Sequence, residues 1–274
     1  MHLLNIQESV RKALMEDLGG GDITAQLLPD NRQVKATIIT REHCILCGQA
    51  WLEQSFFSLD PRINIQWFVK EGDSVAKDSV LCELTGPARA LLSAERTALN
   101  FLQTLSGTAT RVNQYVNAIA GEKAQILDTR KTIPGLRQAQ KYAVQCGGGK
   151  NHRMGLYDGI LIKENHILAA GSIAQAIEKA RLLSSSLPIE VEVEDLDQLK
   201  QALTAKADII LLDNMNIEML TEAVAITDQQ TKLEASGGID LHNVKAIAAT
   251  GVDFISIGEM TKNITAIDLS MRIK

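Results

Sequence analysis

The sequence predicts an α/β protein: an open, incomplete parallel α/β barrel preceded by a smaller β-rich region. Beyond residue 120, six short apolar runs alternate with helix-length segments: Gln125–Asp128, Gly159–Lys163, Ile189–Val193, Asp208–Leu212, Lys232–Ala235 and Asp253–Ile257. That rhythm is the signature of buried parallel strands joined by helices. Polar or charged residues stand at the end of each run: Asp128-Thr-Arg-Lys, Lys163-Glu-Asn-His, Glu194-Asp, Asp213-Asn, Ser236-Gly-Gly and Gly258-Glu. One mouth collecting every strand end is barrel logic, whereas a doubly wound sheet gathers such residues at a single switch point. Six runs fall short of the usual eight strands, hence an open barrel.

The elements follow in order along a chain whose 274 residues suit two domains. Met1 to Asp22 has no long apolar run behind a basic stretch, so no secretory leader is expected. Ile6, Val10, Leu14 and Leu18 recur every fourth residue and meet Gly19-Gly20-Gly21, predicting an amphipathic helix stopped by glycine. From Gln33 to about Pro87 the text is β-like, with runs at Val34–Thr40, Ile63–Val69 and Val80–Leu84 and turns such as Glu71-Gly72-Asp73. Val69 to Cys82 has the look of a lipoyl or biotinyl hairpin, yet neither Lys70 nor Lys77 stands at a modifiable tip, so the hairpin reads as structural. Leu91 to Ala120 predicts two helices broken at Ser106-Gly107-Thr108, with a domain boundary there. The expected division is 1–106, a barrel domain at 107–265, and a tail at 266–274 that returns to the first domain. Between barrel strands, helices are expected at Ile173–Leu183, Leu196–Ala205, Ile217–Thr227 and Asn243–Ala249.

Composition narrows the function. With 28 Lys and Arg against 33 Asp and Glu, the formal charge of -5 argues against a broad nucleic-acid surface. No segment approaches the roughly 18 apolar residues of a membrane span. Four cysteines, Cys44, Cys47, Cys82 and Cys146, are too few to staple the chain, and reduced thiols in a cytoplasm are expected. Cys44-Ile-Leu-Cys47 has redox or half-zinc spacing, but no second pair completes it, so no role is assigned to it.

The residues that carry chemistry cluster at the expected mouth. Asp128-Thr-Arg130-Lys131-Thr132-Ile-Pro-Gly, Gly147-Gly-Gly-Lys150-Asn-His152-Arg153 and Lys163 bring cations together beside a glycine loop. Arginine forks match carboxylate or phosphate bidentately and lysine adds a point charge, so the set suggests a small polyanionic substrate. Lys150 and Arg137 read instead as a solvated face. Glu234-Ala-Ser236-Gly237-Gly238 and Ile257-Gly258-Glu, each before an expected helix, suggest backbone amides for a phosphate. Glu190, Glu192 and Glu194 alternate along one strand and face one side. Buried together they would need cations, a metal or sugar hydroxyls, and Asp213 ends the next strand. Neither GxGxxG nor a P-loop motif occurs.

Long motifs then point to a family. Glu16-Asp-Leu-Gly-Gly-Gly-Asp-Ile-Thr24, Ser93-Ala-Glu-Arg96-Thr-Ala-Leu-Asn100, Asp128 to Arg137, Lys141 to Gly155, Ile162-Lys-Glu-Asn-His166 and Glu234 to Ile239 together resemble the quinolinate phosphoribosyltransferases, the decarboxylating nicotinate-nucleotide pyrophosphorylases. The resemblance implies an N-terminal α/β sandwich domain joined to the incomplete barrel, the type II phosphoribosyltransferase fold. It implies a pentosyltransferase that converts quinolinate and phosphoribosyl pyrophosphate to nicotinate mononucleotide, pyrophosphate and CO₂ in NAD biosynthesis, with Mg²⁺ and no organic cofactor. A homodimer or hexamer is implied, in which Arg96 reaches a neighbouring subunit's site. On this resemblance Lys131, Lys163, Glu192 and Asp213 are the catalytic set, and Arg96, Arg130, Lys131, Thr132, His152, Arg153 and Lys163 bind substrate. Glu192 and Asp213 take the ribose and, through water, the magnesium, while Ser236, Gly237, Gly238 and Gly258 hold the 5′-phosphate. A molybdenum-transport-associated relative, a barrel aldolase with Lys163 as Schiff-base lysine, and a carrier module built on the lipoyl-like hairpin are the alternatives.

Overall fold

The computed structural model describes residues 5–29 and 31–274, so the first four residues of the stretch read for a leader lie outside them. α1 (Ile6–Leu18) buries Val10 and Leu14, and the N–H of Gly19 closes its last turn on the Met15 carbonyl. β1 (Gln33–Thr40), β2 (Cys44–Ile45), α2 (Gln49–Leu59), β3 (Asn64–Trp67), β4 (Ser74–Val75) and β5 (Val80–Pro87) follow, then α3 (Ala88–Ala118). The next elements are β6 (Gln125–Leu127), α4 (Arg137–Cys146), β7 (Ile160–Ile162), α5 (Glu164–Ala170), α6 (Ile173–Leu183), β8 (Ile189–Val193) and α7 (Leu196–Thr204). β9 (Ile209–Asp213), α8 (Ile217–Thr227), β10 (Lys232–Ser236), α9 (Val244–Ala249), β11 (Phe254–Ser256), α10 (Glu259–Lys262) and β12 (Leu269–Ile273) complete the chain.

Two compact units emerge. The first takes the chain up to Asn113, then Ile133–Gly148 and Asn263–Lys274; the second takes Gln114–Thr132 and Gly149–Lys262. The first unit holds a four-stranded antiparallel sheet in the order β12-β1-β5-β3 and a two-stranded pair of β2 with β4. Ile38, Cys82 and Leu84 from the sheet pack with Phe56, Leu91, Leu99 and Leu102 in one apolar cluster. Val10, Leu14, Trp51, Phe101, Leu105 and Ala143 form another. The lipoyl-like stretch serves this unit: β4 pairs with β2, and the Gly72 N–H donates to the Leu46 carbonyl at 2.8 Å.

The expected break at Ser106-Gly107-Thr108 does not occur, because α3 runs through it. Gly107 is there for a close approach: a Cβ would stand 2.2 Å from the Thr265 carbonyl oxygen. The chain leading to β12 crosses the helix at this point, and the Ile267 N–H donates to the Gln103 carbonyl at 3.1 Å. The division by compactness therefore falls later on α3 than residues 106 and 107, and α4 joins the first unit. In an exposed helix, replacing glycine by alanine stabilises by about 1 kcal/mol. Gly107→Ala is expected to do the opposite, costing about 1–3 kcal/mol through overpacking against main chain, as urea unfolding would register.

The second unit is a parallel sheet in the order β6-β11-β10-β9-β8-β7. β7, β8, β9 and β10 are each followed by helix before the neighbouring strand of the sheet, and β6 and β7 are the two edges. Among the described residues β6 and β7 are not paired with each other, and β6 carries only an isolated bridge on that side, Leu127 with Lys150, which makes this the open barrel expected from six runs. Asp195 and Asn216 cap α7 and α8, their carboxylate and amide oxygens accepting first-turn N–H groups.

Candidate active site

The side chains at the carboxyl ends of these strands enclose a cavity of about 350 Å³. Arg130 and Lys131 enter it after β6, His152 and Arg153 ahead of β7, and Lys163 directly after β7. Glu192, Asp213, Glu234 and Ser236 enter from β8, β9 and β10. All of the lining belongs to the second unit.

Local hydrogen bonding sets these positions. Asp128, fully buried just after β6, accepts the His152 N–H at 2.9 Å. The Lys150 N–H donates to the Ile126 carbonyl at 2.8 Å and the Asp128 N–H to the Lys150 carbonyl at 3.1 Å. Residues 150–152 thereby lie along β6 as a short strand-like strap, and His152 and Arg153 issue from its end. Lys163 is the N-cap of α5, with its N–H donating to Nδ1 of His166 at 3.0 Å. The Lys131 carbonyl accepts from Thr261 Oγ1 at 2.8 Å, and Gly258 lets the Lys131 stem pass, since a Cβ there would meet Lys131 Cδ at 2.8 Å.

The cavity carries charges of both signs. Lys163 pairs with Glu192, and Asp213 accepts from Asn214 Nδ2 at 2.8 Å. Arg153 donates to the Gly159 carbonyl at 3.2 Å, and burial, followed by the like charge of Arg130, pushes its guanidinium below the usual arginine range. An anion bound near both guanidiniums would relieve that repulsion.

Beneath the mouth lies a second cavity of about 590 Å³, lined by earlier residues of the same strands such as Gln125, Glu190, Ile209 and Phe254. His152, Arg153 and Glu234 line both cavities. Nε2 of His152 is 2.9 Å from Glu190 and 3.7 Å from Glu234, while Nδ1 accepts the Arg153 N–H at 2.7 Å. One carboxylate oxygen on each of Glu190 and Glu234 is buried without a hydrogen-bond partner. Burial, and then the charge of Glu190, push the Glu234 carboxyl up to about 8, so Glu234 holds its proton at neutral pH.

The expected residues come together unevenly. Arg130, Lys131, His152, Arg153, Lys163, Glu192, Asp213 and Ser236 line the mouth cavity. Thr132, Gly237, Gly238 and Gly258 do not, and Arg96 is exposed on α3 in the first unit. The three-glutamate pattern resolves into different fates: Glu190 faces His152, Glu192 faces Lys163, and Glu194 lies past the end of β8, exposed. The glycine loop after β10 does not open directly into a helix. Asp240 Oδ1 accepts the N–H groups of His242 and Asn243 and holds a turn, so α9 starts only at Val244. Gly237 and Gly238, at φ of 96° and 60°, present an exposed left-handed bend instead. Asp128 and Glu234 were named only as the first residues of motifs and given no role, although a carboxylate at a strand end and one inside an apolar run were visible signals.

An open α/β barrel whose strand-end mouth gathers arginines, lysines and carboxylates defines a protein built for a small anionic ligand. The sequence profile described as quinolinate phosphoribosyl transferase, C-terminal domain, matches residues 108–272, and that of the N-terminal domain matches residues 22–106. The chain belongs to the quinolinate phosphoribosyltransferase family. It is 42% identical over 274 residues to a probable nicotinate-nucleotide pyrophosphorylase (carboxylating) of Bacillus subtilis, covering 100% of this chain and 95% of that one. The structure of the nicotinate-nucleotide pyrophosphorylase from Francisella tularensis is similar at a TM-score of 0.96 and 52% identity, covering 98% of this chain and 96% of that one. The enzyme of the same name from Ehrlichia chaffeensis gives a TM-score of 0.95 and 40% identity, with 100% of both chains covered. Among the described residues no helix is long and apolar enough to cross a membrane.

Proposed function

We propose that the chain transfers the phosphoribosyl group of phosphoribosyl pyrophosphate to quinolinate with decarboxylation, releasing nicotinate mononucleotide, pyrophosphate and CO₂ in NAD biosynthesis. The observation that carries this reading is the mouth cavity, whose lining gathers Arg130, Lys131, Arg153 and Lys163 together with Glu192 and Asp213. Quinolinate bears two carboxylates and its partner bears a phosphate and a pyrophosphate. Bringing such anions together requires several cations, each charge-assisted hydrogen bond contributing about 1.5–3 kcal/mol.

Arg130, Arg153 and Lys163 hold the quinolinate carboxylates and aim the ring nitrogen at the anomeric carbon. His152, steadied by Glu190, keeps the wall of that subsite in place. Departure of pyrophosphate leaves an oxocarbenium-like ribose, whose charge Glu192 and Asp213 stabilise, as carboxylates do in glycosyl transfer. Lys131, exposed at the rim, meets the leaving group. Once the nitrogen is alkylated the pyridinium is its own electron sink for loss of CO₂, so no organic cofactor is needed. The hard oxygens of Glu192 and Asp213, part-exposed on adjacent strands, suit a water-mediated hold on Mg²⁺. Bound there with the substrate, the ion would neutralise charge on the departing pyrophosphate. We read the protein as a cytoplasmic homodimer or hexamer in which exposed Arg96 is contributed to a neighbouring copy's site.

The reading fails if the protein, incubated with quinolinate, phosphoribosyl pyrophosphate and Mg²⁺, releases neither CO₂ nor nicotinate mononucleotide. Nicotinate in place of quinolinate should give little product, since it lacks the carboxylate to be lost. The 5′-phosphate assignment has its own test at Gly237, where φ is 96° and a Cβ would stand 2.1 Å from Asn214 Oδ1. Gly237→Ala is expected to raise KM for phosphoribosyl pyrophosphate by about tenfold, roughly 1.4 kcal/mol, with a much smaller change for quinolinate. An aldolase reading is disfavoured by Lys163 itself: Schiff-base lysines are made nucleophilic by apolar burial or a neighbouring cation, whereas this one is exposed and paired with Glu192.

A further inference from the structure

A second cluster of reactive groups lies in the first unit, made only of that unit's residues. Cys47 follows β2, Glu71 sits in the turn between β3 and β4, and Cys146 is the last residue of α4. The two sulfurs and a carboxylate oxygen all lie within 4.8 Å of one another. Cys47 is fully buried and Cys146 half-buried, so an external reagent meets Cys146 first. Tyr142, one turn earlier on α4, stands against Trp51 with ring centres 5.7 Å apart and forms part of the surround.

The chemistry of the cluster favours a dithiol over a metal centre. Glu71 already caps α2, its Oε1 accepting the N–H groups of Gly48 and Gln49 at 3.0 and 2.7 Å. That leaves two soft ligands and no fourth partner in the group, short of a structural zinc site. Cys44, the CxxC neighbour, is outside the cluster, its sulfur 3.9 Å from Thr40 Oγ1. The two thiols are also differentiated. Hydrogen bonding from Cys47 and Tyr142 holds the Cys146 thiol below the ordinary cysteine range, whereas burial pushes Cys47 up.

We propose that Cys146 and Cys47 are a reversible oxidation site, closing an intramolecular disulfide when a low-molecular-weight disulfide such as oxidised glutathione is the oxidant. The Cys146 thiolate attacks one glutathione sulfur, its S–S bond breaks, and one glutathione leaves as thiolate. The Cys47 proton then passes to the Glu71 carboxylate while the Cys47 sulfur attacks Cys146, expelling the second glutathione. Two protein thiols are oxidised and one glutathione disulfide is reduced to two thiols. The sulfurs lie within 4.8 Å of each other, so the bond requires them to close on each other before the second glutathione leaves.

The test is thiol counting and peptide mass mapping of the full chain after exposure to oxidised glutathione. Wild type is expected to lose two of its four free thiols and yield a Cys47–Cys146 linked peptide, with both thiols returned by dithiothreitol. Cys47→Ser should stop at the first step and hold one glutathione on Cys146. Cys146→Ser should take up none and keep the Cys47 thiol. The proposal is overturned if wild type keeps four free thiols, if it retains glutathione on Cys146, if the bond joins Cys47 to Cys44, or if Cys146→Ser still loses Cys47. Wild-type mapping alone decides the matter should a variant not fold, and the readout does not depend on the reaction proposed for the barrel mouth.

Discussion

Replacing Arg130 with alanine is expected to lower kcat/KM for quinolinate by about 100- to 1000-fold while moving the unfolding free energy by less than about 1 kcal/mol. The split follows from the position of Arg130. It lines the mouth cavity on the loop after β6, contributing no strand to the sheet, and its charge acts against Arg153. Removing the like charge felt at Arg153 relieves repulsion there, which offsets part of the packing lost with the side chain. An incoming carboxylate reverses the sign, since the two like charges then act together on an anion. The loss should appear in kcat/KM for quinolinate and leave the urea midpoint nearly in place. A variant that unfolds early, or one with wild-type turnover, would remove Arg130 from the binding role. Arg130→Lys should recover little, because a point charge cannot reproduce a planar fork against a carboxylate.

The barrel was readable because parallel strands buried on both faces leave continuous apolar text, and their functional ends leave polar text directly behind it. Ile189–Val193 and Ile217–Thr227 were foreseen to the residue for this reason. Elements without that contrast were not foreseen. The return of the tail to the first unit was expected, but that it does so as a strand, β12 at Leu269–Ile273 paired with β1 more than 200 residues away, was not, because no local pattern signals it. α4 carries its burial in Ala139, Gln140, Lys141, Ala143 and Val144, and polar residues in a buried face hide the helical stripe. Gly107 misled for a related reason: a glycine kept for close main-chain approach is indistinguishable in sequence from one kept for a break. At the site, the cations were legible as a cluster, but their division was not. The alternation of Glu190 and Glu192 gave a shared face; that one meets His152 and the other Lys163 depends on which strap and which strand end lie opposite. Cys47 likewise finds Cys146 across 99 residues, and sequence spacing had offered only Cys44.

Glu234→Gln is expected to make the protein more stable at pH 8 by several kcal/mol, and to flatten a dependence on pH that the wild type should show. Glu234 is 1% exposed, one of its oxygens has no hydrogen-bond partner, and Glu190 lies beside it. Its carboxyl titrates near 8 when folded against an ordinary value of 4.5. Below pH 4.5 both folded and unfolded chains hold this proton, and the group contributes its full share. As pH rises the unfolded chain releases the proton and the folded chain does not, so stability falls at up to about 1.4 kcal/mol per pH unit. The fall levels off once pH passes the folded value, after a total of about 4–5 kcal/mol. Glutamine keeps the shape and a donor toward Glu190 but cannot ionise, so the variant lacks that slope. Urea unfolding at pH 5 and pH 8 for both proteins reads the effect of Glu234 together with the His152 and Glu190 groups it faces, because titrating groups elsewhere cancel in the difference. Parallel curves would mean that Glu234 is ionised in the fold and that some cation other than a proton neutralises the pair. The three ligand atoms of His152, Glu190 and Glu234 lie within 4.8 Å of one another, so a chelator-sensitive stability would be the next measurement in that event.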